Sequence, residues 1–302
     1  MRPPGGVEEE VDPPGGAERQ PFRVGLVQEA WHPDPQRHLE ALARGVRLAA
    51  AQGARLICLQ ELTLSPYFAI DPSGVGAVPE DHEHGPTVEF ALRMAAETGA
   101  YLHASLYEAA DRDPSDGPGG YNTAVCVSPD GKIVARTRKV HIPRTDGYHE
   151  DAYFRPGDGG FPVVHLDGAE VAFPTCWDQW FPELARSYSL GGAEVIVYPT
   201  SIGSEPQAPG FDTRPIWQQV IVGHGITSAT FMVVVNRIGV EGPVDFYGSS
   251  FVSDPYGRVL AQAPRDRPAV LVVDLDLDQR RDWLQFGLLD TRRPELYGAL
   301  TT

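Results

Sequence analysis

Lysine, cysteine and methionine are scarce in this chain of 302 residues: three cysteines, three methionines, and lysine only at positions 132 and 139. An odd, small cysteine count builds no disulfide framework. No run of about 18 apolar residues occurs, so the sequence predicts no membrane-spanning helix. Positive charge is short as well. Asp and Glu total 41 against 25 Lys and Arg, a net charge of −16. That surplus excludes a protein built to coat nucleic acid or an anionic membrane surface. The lysine shortage is a signal in itself. Arginine fills 23 of the 25 basic positions, so guanidinium serves wherever positive charge alone is enough. A retained lysine points to a place where a compact ammonium is needed.

What is present describes a folded protein with a tail. At 42% hydrophobic residues the chain is not disordered as a whole. The first twenty residues are different. They repeat PPGG at Pro3–Gly6 and Pro13–Gly16, carry Glu8, Glu9 and Glu10, and show neither helical nor strand periodicity. Residues 1–20 read as a disordered tail. They lack the basic start and apolar centre of a signal peptide, and with few cysteines a cytoplasmic location is expected. Residues 21–302 read as a single domain with a C-terminal docking tail.

From Phe22 the pattern alternates strand and helix. FRVGLVQ (22–28) and ARLICLQ (54–60) are apolar strands. Between them Asp34-Pro35 starts a helix with Leu39, Leu42, Val46 and Ala49 at helical spacing, closed by Gly53. A helix over 87–98, ended by Gly99, leads to the strand AYLHASLYE (100–108). Hairpins follow around Pro129-Asp130-Gly131, Asp167-Gly168 and Asp254-Pro255-Tyr256-Gly257. Helices over 182–190 and 216–227 precede strands 193–199 and 231–239, and AVLVVDLDL (269–277) is the last core strand. Strand–helix–strand units mixed with hairpins predict an α/β fold with mixed sheets flanked by helices.

Three reactive residues stand where a strand gives out, the place where open α/β sheets build sites. Glu61, in LICLQEL, is either a part-buried proton carrier or a carboxylate capping a loop. Lys139, in RTRKVHIP, is the lysine that the composition singles out, whereas Lys132 is an ordinary hairpin residue. Cys176, in VAFPTCWDQWFPELAR, lies at a strand-to-helix elbow among polar and aromatic neighbours, while Cys58 and Cys126 lie mid-strand as inert core. Together they compose a mechanism. Cys176 attacks a trigonal carbon, Glu61 carries the proton from the thiol to the departing nitrogen, and Lys139 holds the oxyanion.

ELTLSPYF, RKVHIP and CWDQWFPELAR, in this order, resemble the three signature motifs of the nitrilase superfamily of carbon–nitrogen hydrolases. Lys139 follows Glu61 by 78 residues and Cys176 follows Lys139 by 37. The resemblance covers 22–300. It implies an αββα sandwich, a Glu61–Lys139–Cys176 triad, and a second glutamate at Glu150, in GYHEDAYFRPGD, that orients Lys139 and the substrate nitrogen. GAEVIVYPTSIG, YGSSFVSDPYGRVL and TRRPELYGAL look most like the branch of N-carbamoylputrescine amidases and β-ureidopropionases, which hydrolyse an N-carbamoyl amine to amine, ammonia and carbon dioxide. The resemblance also implies a homodimer or higher homo-oligomer, paired near the nucleophile helix and the C-terminal tail.

Trp177, Trp180 and Tyr67 adjoin the triad and either wall the site or belong to the aromatic core. The segment SEPQAPGFDTRPIW is expected to line or cover the pocket. A cationic substrate suits the net charge; a carboxylated one needs Arg144, Arg214 or His224. N-carbamoyl-β-alanine, N-carbamoyl amino acids and simple aliphatic amides remain alternative substrates. A Cys176–His hydrolase using His141 or His165, and a catalytically silent binding protein on the same fold, are the competing readings. No metal or cofactor is implied: His82-Glu83-His84 sits in a Pro/Gly-rich loop, and no glycine-rich phosphate loop follows a strand.

Overall fold

The structure, a computed structural model, describes residues 19–73, 75–110 and 118–301. The expected tail lies outside the described residues except for Arg19 and Gln20. Arg19 is docked: its main-chain N–H and its Nε donate to the Asp278 carboxylate at 2.9 and 3.0 Å, and Nη2 donates to Glu194 at 2.7 Å. Two acidic partners near the domain surface recruit a residue that its neighbours in sequence gave no reason to order.

The first half builds one sheet. Strands β1 (Phe22–Gln28), β2 (Leu56–Cys58) and β3 (Tyr101–Ala109) run parallel, and β4 (Gly120–Val127) and β5 (Ile133–Arg138) follow antiparallel. Helix α1 (Pro35–Ala51) starts as expected, with the Asp34 carboxylate accepting from the Gln36 and Arg37 N–H groups. It packs close to the sheet. A Cβ on Gly45 would sit 2.4 Å from Val27, and one on Gly25 would sit 2.8 Å from Ala49. Helix α2 (Pro86–Thr98) ends at Gly99, whose φ of 70° is the left-handed cap a glycine supplies without strain.

The second half builds another sheet, from β8 (Val163–Leu166), β9 (Ala169–Ala172), β10 (Val195–Thr200), β11 (Phe231–Asn236), β14 (Phe251–Ser253) and β15 (Val259–Gln262), with α3 (Pro182–Leu190) and α4 (Arg214–Ser228) against it. Two short ribbons lie between, β6 (Arg144–Thr145) with β7 (Tyr148–His149), and β12 (Ile238–Glu241) with β13 (Val244–Tyr247). The final strand β16 (Ala269–Leu275) returns to pair with β1, and α5 (Asp278–Leu284) follows.

Strand alternation sorts the layers. Phe22, Val24, Leu26, Cys58 and Cys126 face Val171, Val195, Val197, Phe231 and Val233 between the two sheets, so both mid-strand cysteines are core as expected. Val27 and Ile57 point outward to Leu42 and Val46 of α1, and Ile196 and Tyr198 point outward to α3 and α4. The result is the expected αββα sandwich. The expected strand 231–239 is a correction: it breaks after Asn236, because Arg237 turns inward and the chain re-pairs as the β12–β13 ribbon. The paired part of the second strand is Leu56–Cys58, shorter than 54–60; beyond it the Gln60 side-chain Oε1 accepts from the Glu29 N–H at 3.2 Å. Helices 216–227 and 87–98 begin earlier, at Arg214 and Pro86.

Candidate active site

Three strand ends meet above the inter-sheet core. Glu61 follows β2 by three residues, Lys139 follows β5 directly, and Cys176 begins a short 3-10 turn after β9. The structure brings all three together with Glu150, from the 3-10 turn after β7. Glu61, Lys139 and Glu150 are each 0% exposed. Lys139 Nζ donates to Glu61 Oε1 at 2.9 Å and to Glu150 Oε1 and Oε2 at 2.8 and 2.7 Å. One ammonium thus serves two buried carboxylates. The chain's solitary buried lysine is the one the composition singled out; Lys132 is 73% exposed and pairs with Asp130 on its hairpin.

Burial and charge pull these groups in different directions. Burial pushes Glu150 up to about 7 and Glu61 adds to the rise, while the Lys139 ammonium opposes it. Burial alone would depress Lys139. The electrostatic pull of Cys176, Glu150 and Glu61 more than offsets it, so the ammonium is held above its usual range. Burial drives the Cys176 thiol well above its ordinary value, with Glu61 adding to the shift and Lys139 and a Ser201 main-chain hydrogen bond opposing it. The resting sulfur is therefore a neutral thiol, which needs a base when it attacks.

The backbone at the sulfur is strained. Cys176 has φ of 43°, in the left-handed region that costs a non-glycine residue about 1–3 kcal/mol. The Asp178 carboxylate holds the elbow in that shape. It accepts from the main-chain N–H groups of Thr175 at 3.1 Å, His141 at 2.9 Å and Val140 at 3.4 Å. One side chain therefore ties the nucleophile turn to the two residues that follow Lys139.

The glutamate loop is pinned from below. Arg237, fully buried, donates through Nη2 to the main-chain oxygens of Glu61, Leu62 and Ser65 at 2.8, 3.2 and 3.3 Å. Its Nη1 donates to Glu241 at 2.7 Å, and Glu241 in turn accepts from the Tyr67 N–H at 2.7 Å. Leu62 sits within this clamp at φ 48°.

The expected pocket residues divide. Tyr67 is fully buried and its hydroxyl donates to Glu150 Oε1 at 2.8 Å, which makes it a support for the carboxylate. Trp177 and Trp180 flank the nucleophile turn, partly exposed, with ring centroids 6.1 Å apart. The segment after β10 folds back toward the site. The Tyr148 hydroxyl donates to Ser204 O, and Ser204 exchanges hydrogen bonds with Asp245. Glu205 stands next in line, half-buried.

The competing imidazoles are engaged elsewhere. His141 Nδ1 bonds Asp178 at 2.8 Å while its ring stacks on Phe181, and His165 is exposed on β8 beside Glu170. Arg144 is exposed on β6, Arg214 opens α4, and His224 is buried in α4, where burial pushes it down and keeps it neutral at physiological pH. Asn122, Asp178 and Arg237 were not picked out from sequence. Arg237 carried a signal, a charge at the end of the apolar run FMVVVN. Asn122 carried a fainter one, an amide within YNTAVCVS.

Comparison with known proteins identifies relatives of this chain. Residues 23–285 match the carbon–nitrogen hydrolase family. The chain is 38% identical to an N-carbamoylputrescine amidase of Arabidopsis thaliana over 94% of this chain and 96% of that one. It is 36% identical to a citrullinase of Francisella tularensis over 92% of this chain and 98% of the other. Among solved structures, a carbon–nitrogen hydrolase from Helicobacter pylori superposes with a TM-score of 0.81 at 28% identity, over 93% of this chain and 98% of that one.

Proposed function

Because the chain belongs to the carbon–nitrogen hydrolase family, and so hydrolyses non-peptide carbon–nitrogen bonds, we propose that its substrate is an N-carbamoyl amine and that N-carbamoylputrescine is its type. The carrying observation is the Lys139 ammonium shared by buried Glu61 and Glu150 beside the strained Cys176 turn. Cys176 Sγ attacks the ureido carbon, and the thiol proton passes to Glu61. The oxyanion is held by Lys139. Glu61 delivers its proton to the departing nitrogen, ammonia leaves, and a carbamoyl thioester remains. Water, deprotonated by Glu61, then attacks the thioester. The sulfur leaves with the proton, and the released carbamic acid breaks down to amine and carbon dioxide. The sum is one ureido compound and one water giving amine, ammonia and carbon dioxide. Glu150, braced by Tyr67, orients Lys139 through both steps.

Glu205 supports a cationic tail on the substrate. Among the described residues no cationic side chain forms an ion pair with it; the Gln207 amide is its side-chain partner, at 3.3 Å. The Tyr148 and Tyr247 phenols are each near enough to feel both the Glu205 carboxylate and Cys176, which supports a path from the reacting atom toward this charge. Trp177 and Trp180 wall the other side of the site in this reading. Two copies pair through the C-terminal segment, where Leu296, Tyr297 and Leu300 remain exposed, and three unbridged cysteines suit the cytoplasm.

The test is ammonia release from N-carbamoylputrescine, citrulline, N-carbamoyl-β-alanine and a simple aliphatic amide. kcat/KM is expected to be highest for N-carbamoylputrescine. Glu205→Gln is expected to lower it about tenfold for that substrate and less for the neutral amide. Turnover is expected to vanish in Cys176→Ala. An active Cys176→Ala enzyme would overturn the thiol chemistry, and a preference for N-carbamoyl-β-alanine would overturn the cationic subsite.

A further inference from the structure

The two oxygens of Glu61 are not equivalent. Oε1 accepts twice, from Asn122 Nδ2 at 2.7 Å and from Lys139 Nζ at 2.9 Å. Oε2 is buried and, among the described residues, accepts no hydrogen bond. A buried carboxylate oxygen without a donor is costly and calls for an occupant.

We propose that Asn122 is a positioning residue that makes Glu61 a one-ended base, with Oε1 tied and Oε2 presented to the thiol proton and the leaving nitrogen. The idea rests on the role given to Glu61 above. Asn122 is built for this task. Its Oδ1 accepts from the Ser105 hydroxyl at 3.3 Å, which turns the Nδ2 end of the amide toward Glu61. Ser105 Oγ also accepts from the Leu62 N–H at 3.1 Å, so the amide and the residue after Glu61 share one anchor. The Asn122 carbonyl accepts from the Lys139 N–H at 2.8 Å. A single strand residue thus sets the base through its side chain and the oxyanion lysine through its backbone. With Oε1 free to rotate away, either oxygen would face the sulfur and the ammonium would lose its fixed contact.

The charged and titratable groups facing Glu61 are Lys139, Glu150, Cys176 and Tyr67 around the side chain, with Arg237 at its main-chain oxygen. Glu150, raised to about 7, changes protonation over the pH range used, but it does so in both variants alike, so the comparison of one variant with the other removes it. Asn122→Asp keeps the shape and replaces the amide donor by a carboxyl group, which donates only when protonated. Asn122→Ala has no donor at any pH. At pH 8 both variants are expected to lose roughly 10- to 100-fold in kcat with KM within about twofold, the loss expected for a hydrogen bond to a charged group. Between pH 8 and pH 5.5 Asn122→Asp is expected to regain activity relative to Asn122→Ala, because its protonated carboxyl donates to Oε1 again. A purely structural role moves neither the KM–kcat split nor this relative pH profile. Equal, pH-independent losses in the two variants would overturn the proposal, as would full activity of Asn122→Ala at pH 8. Should Asn122→Asp fail to fold, full activity of Asn122→Ala overturns the proposal and a kcat-only loss supports it. Glu61→Gln separates the two ideas. An active Glu61→Gln enzyme would overturn the role of Glu61 itself. An inactive one, beside an unimpaired Asn122→Ala, would overturn the tether alone.

Discussion

Two buried ion clusters in this protein have opposite arithmetic. At Glu108, on β3, one fully buried carboxylate meets two guanidinium groups, Arg136 and Arg138, and the Thr123 hydroxyl at 2.7 Å. At Lys139 one ammonium meets two carboxylates. Burial would raise Glu108, but Arg138, Arg136 and Thr123 more than offset it and hold it below its usual value. Burial with a shared counter-ion leaves Glu150 raised, at about 7. A surplus of donors makes a brace that stays charged and does nothing further. A shortage of cations leaves Glu150 raised to about 7 and, among the described residues, a Glu61 oxygen with no donor, which is the condition for moving protons.

The comparison breaks most visibly at the cation. Lys139→Arg preserves the charge, and the planar fork is expected to misfit between Glu61 and Glu150, cutting kcat by about 10²–10³-fold in a steady-state ammonia assay. Full activity would mean that a compact ammonium is unnecessary and that the lack of lysine is mere composition.

The next effect is a difference of sign in stability against pH. The folded-state value of Glu150 lies above its ordinary 4.5, so the folded protein holds that proton more tightly. Its contribution is full below about 4.5 and is lost as pH rises through about 7. Relative to Glu150→Gln, the parent is therefore expected to lose unfolding free energy between pH 5 and pH 8. Glu108 is depressed, so its contribution is full above the ordinary carboxylate value and is lost as pH falls. The penalty of Glu108→Gln is expected to shrink on acidification. Urea unfolding of Glu150→Gln between pH 5 and pH 8, and of Glu108→Gln as pH falls below about 4.5, checks the opposite slopes.

The smallest effect is on catalysis at the brace. Glu108→Gln is expected to cost roughly 1–2 kcal/mol of stability by leaving two guanidinium groups short of an acceptor. Its kcat/KM is expected to stay within about threefold of the parent. A large catalytic loss there would show that the two clusters are coupled through β3 and β4.

Much of this was legible in the chain. Alternation and capping marked α1 and α2 because Asp34 and Gly99 act on their immediate neighbours. Glu61, Lys139 and Cys176 stood out because a reactive group at the end of an apolar strand is a local pattern, reinforced by order and spacing. Arg237 was read as part of a continuous strand, since its inward turn depends on carbonyl oxygens more than 170 residues away. Tyr67 looked like a wall beside the site; its hydroxyl reaches Glu150 only because the β6–β7 ribbon folds across it.

The sequence by itself determined the alternation of strands and helices, the three strand ends and the one lysine worth keeping, because hydrophobic period, caps and composition act over a few residues; the αββα layering was implied by the family resemblance. The tertiary structure alone decided that Lys139 is outnumbered by carboxylates, that Asp178 ties the nucleophile turn to the lysine strand, and that Asn122 and Lys139 occupy one oxygen of Glu61 and leave the other open. Those facts follow from the register between β3, β4 and β5 and from where β2 lets go of the ladder. Hydrogen bonds are satisfied across strands, so no reading along one strand contains them.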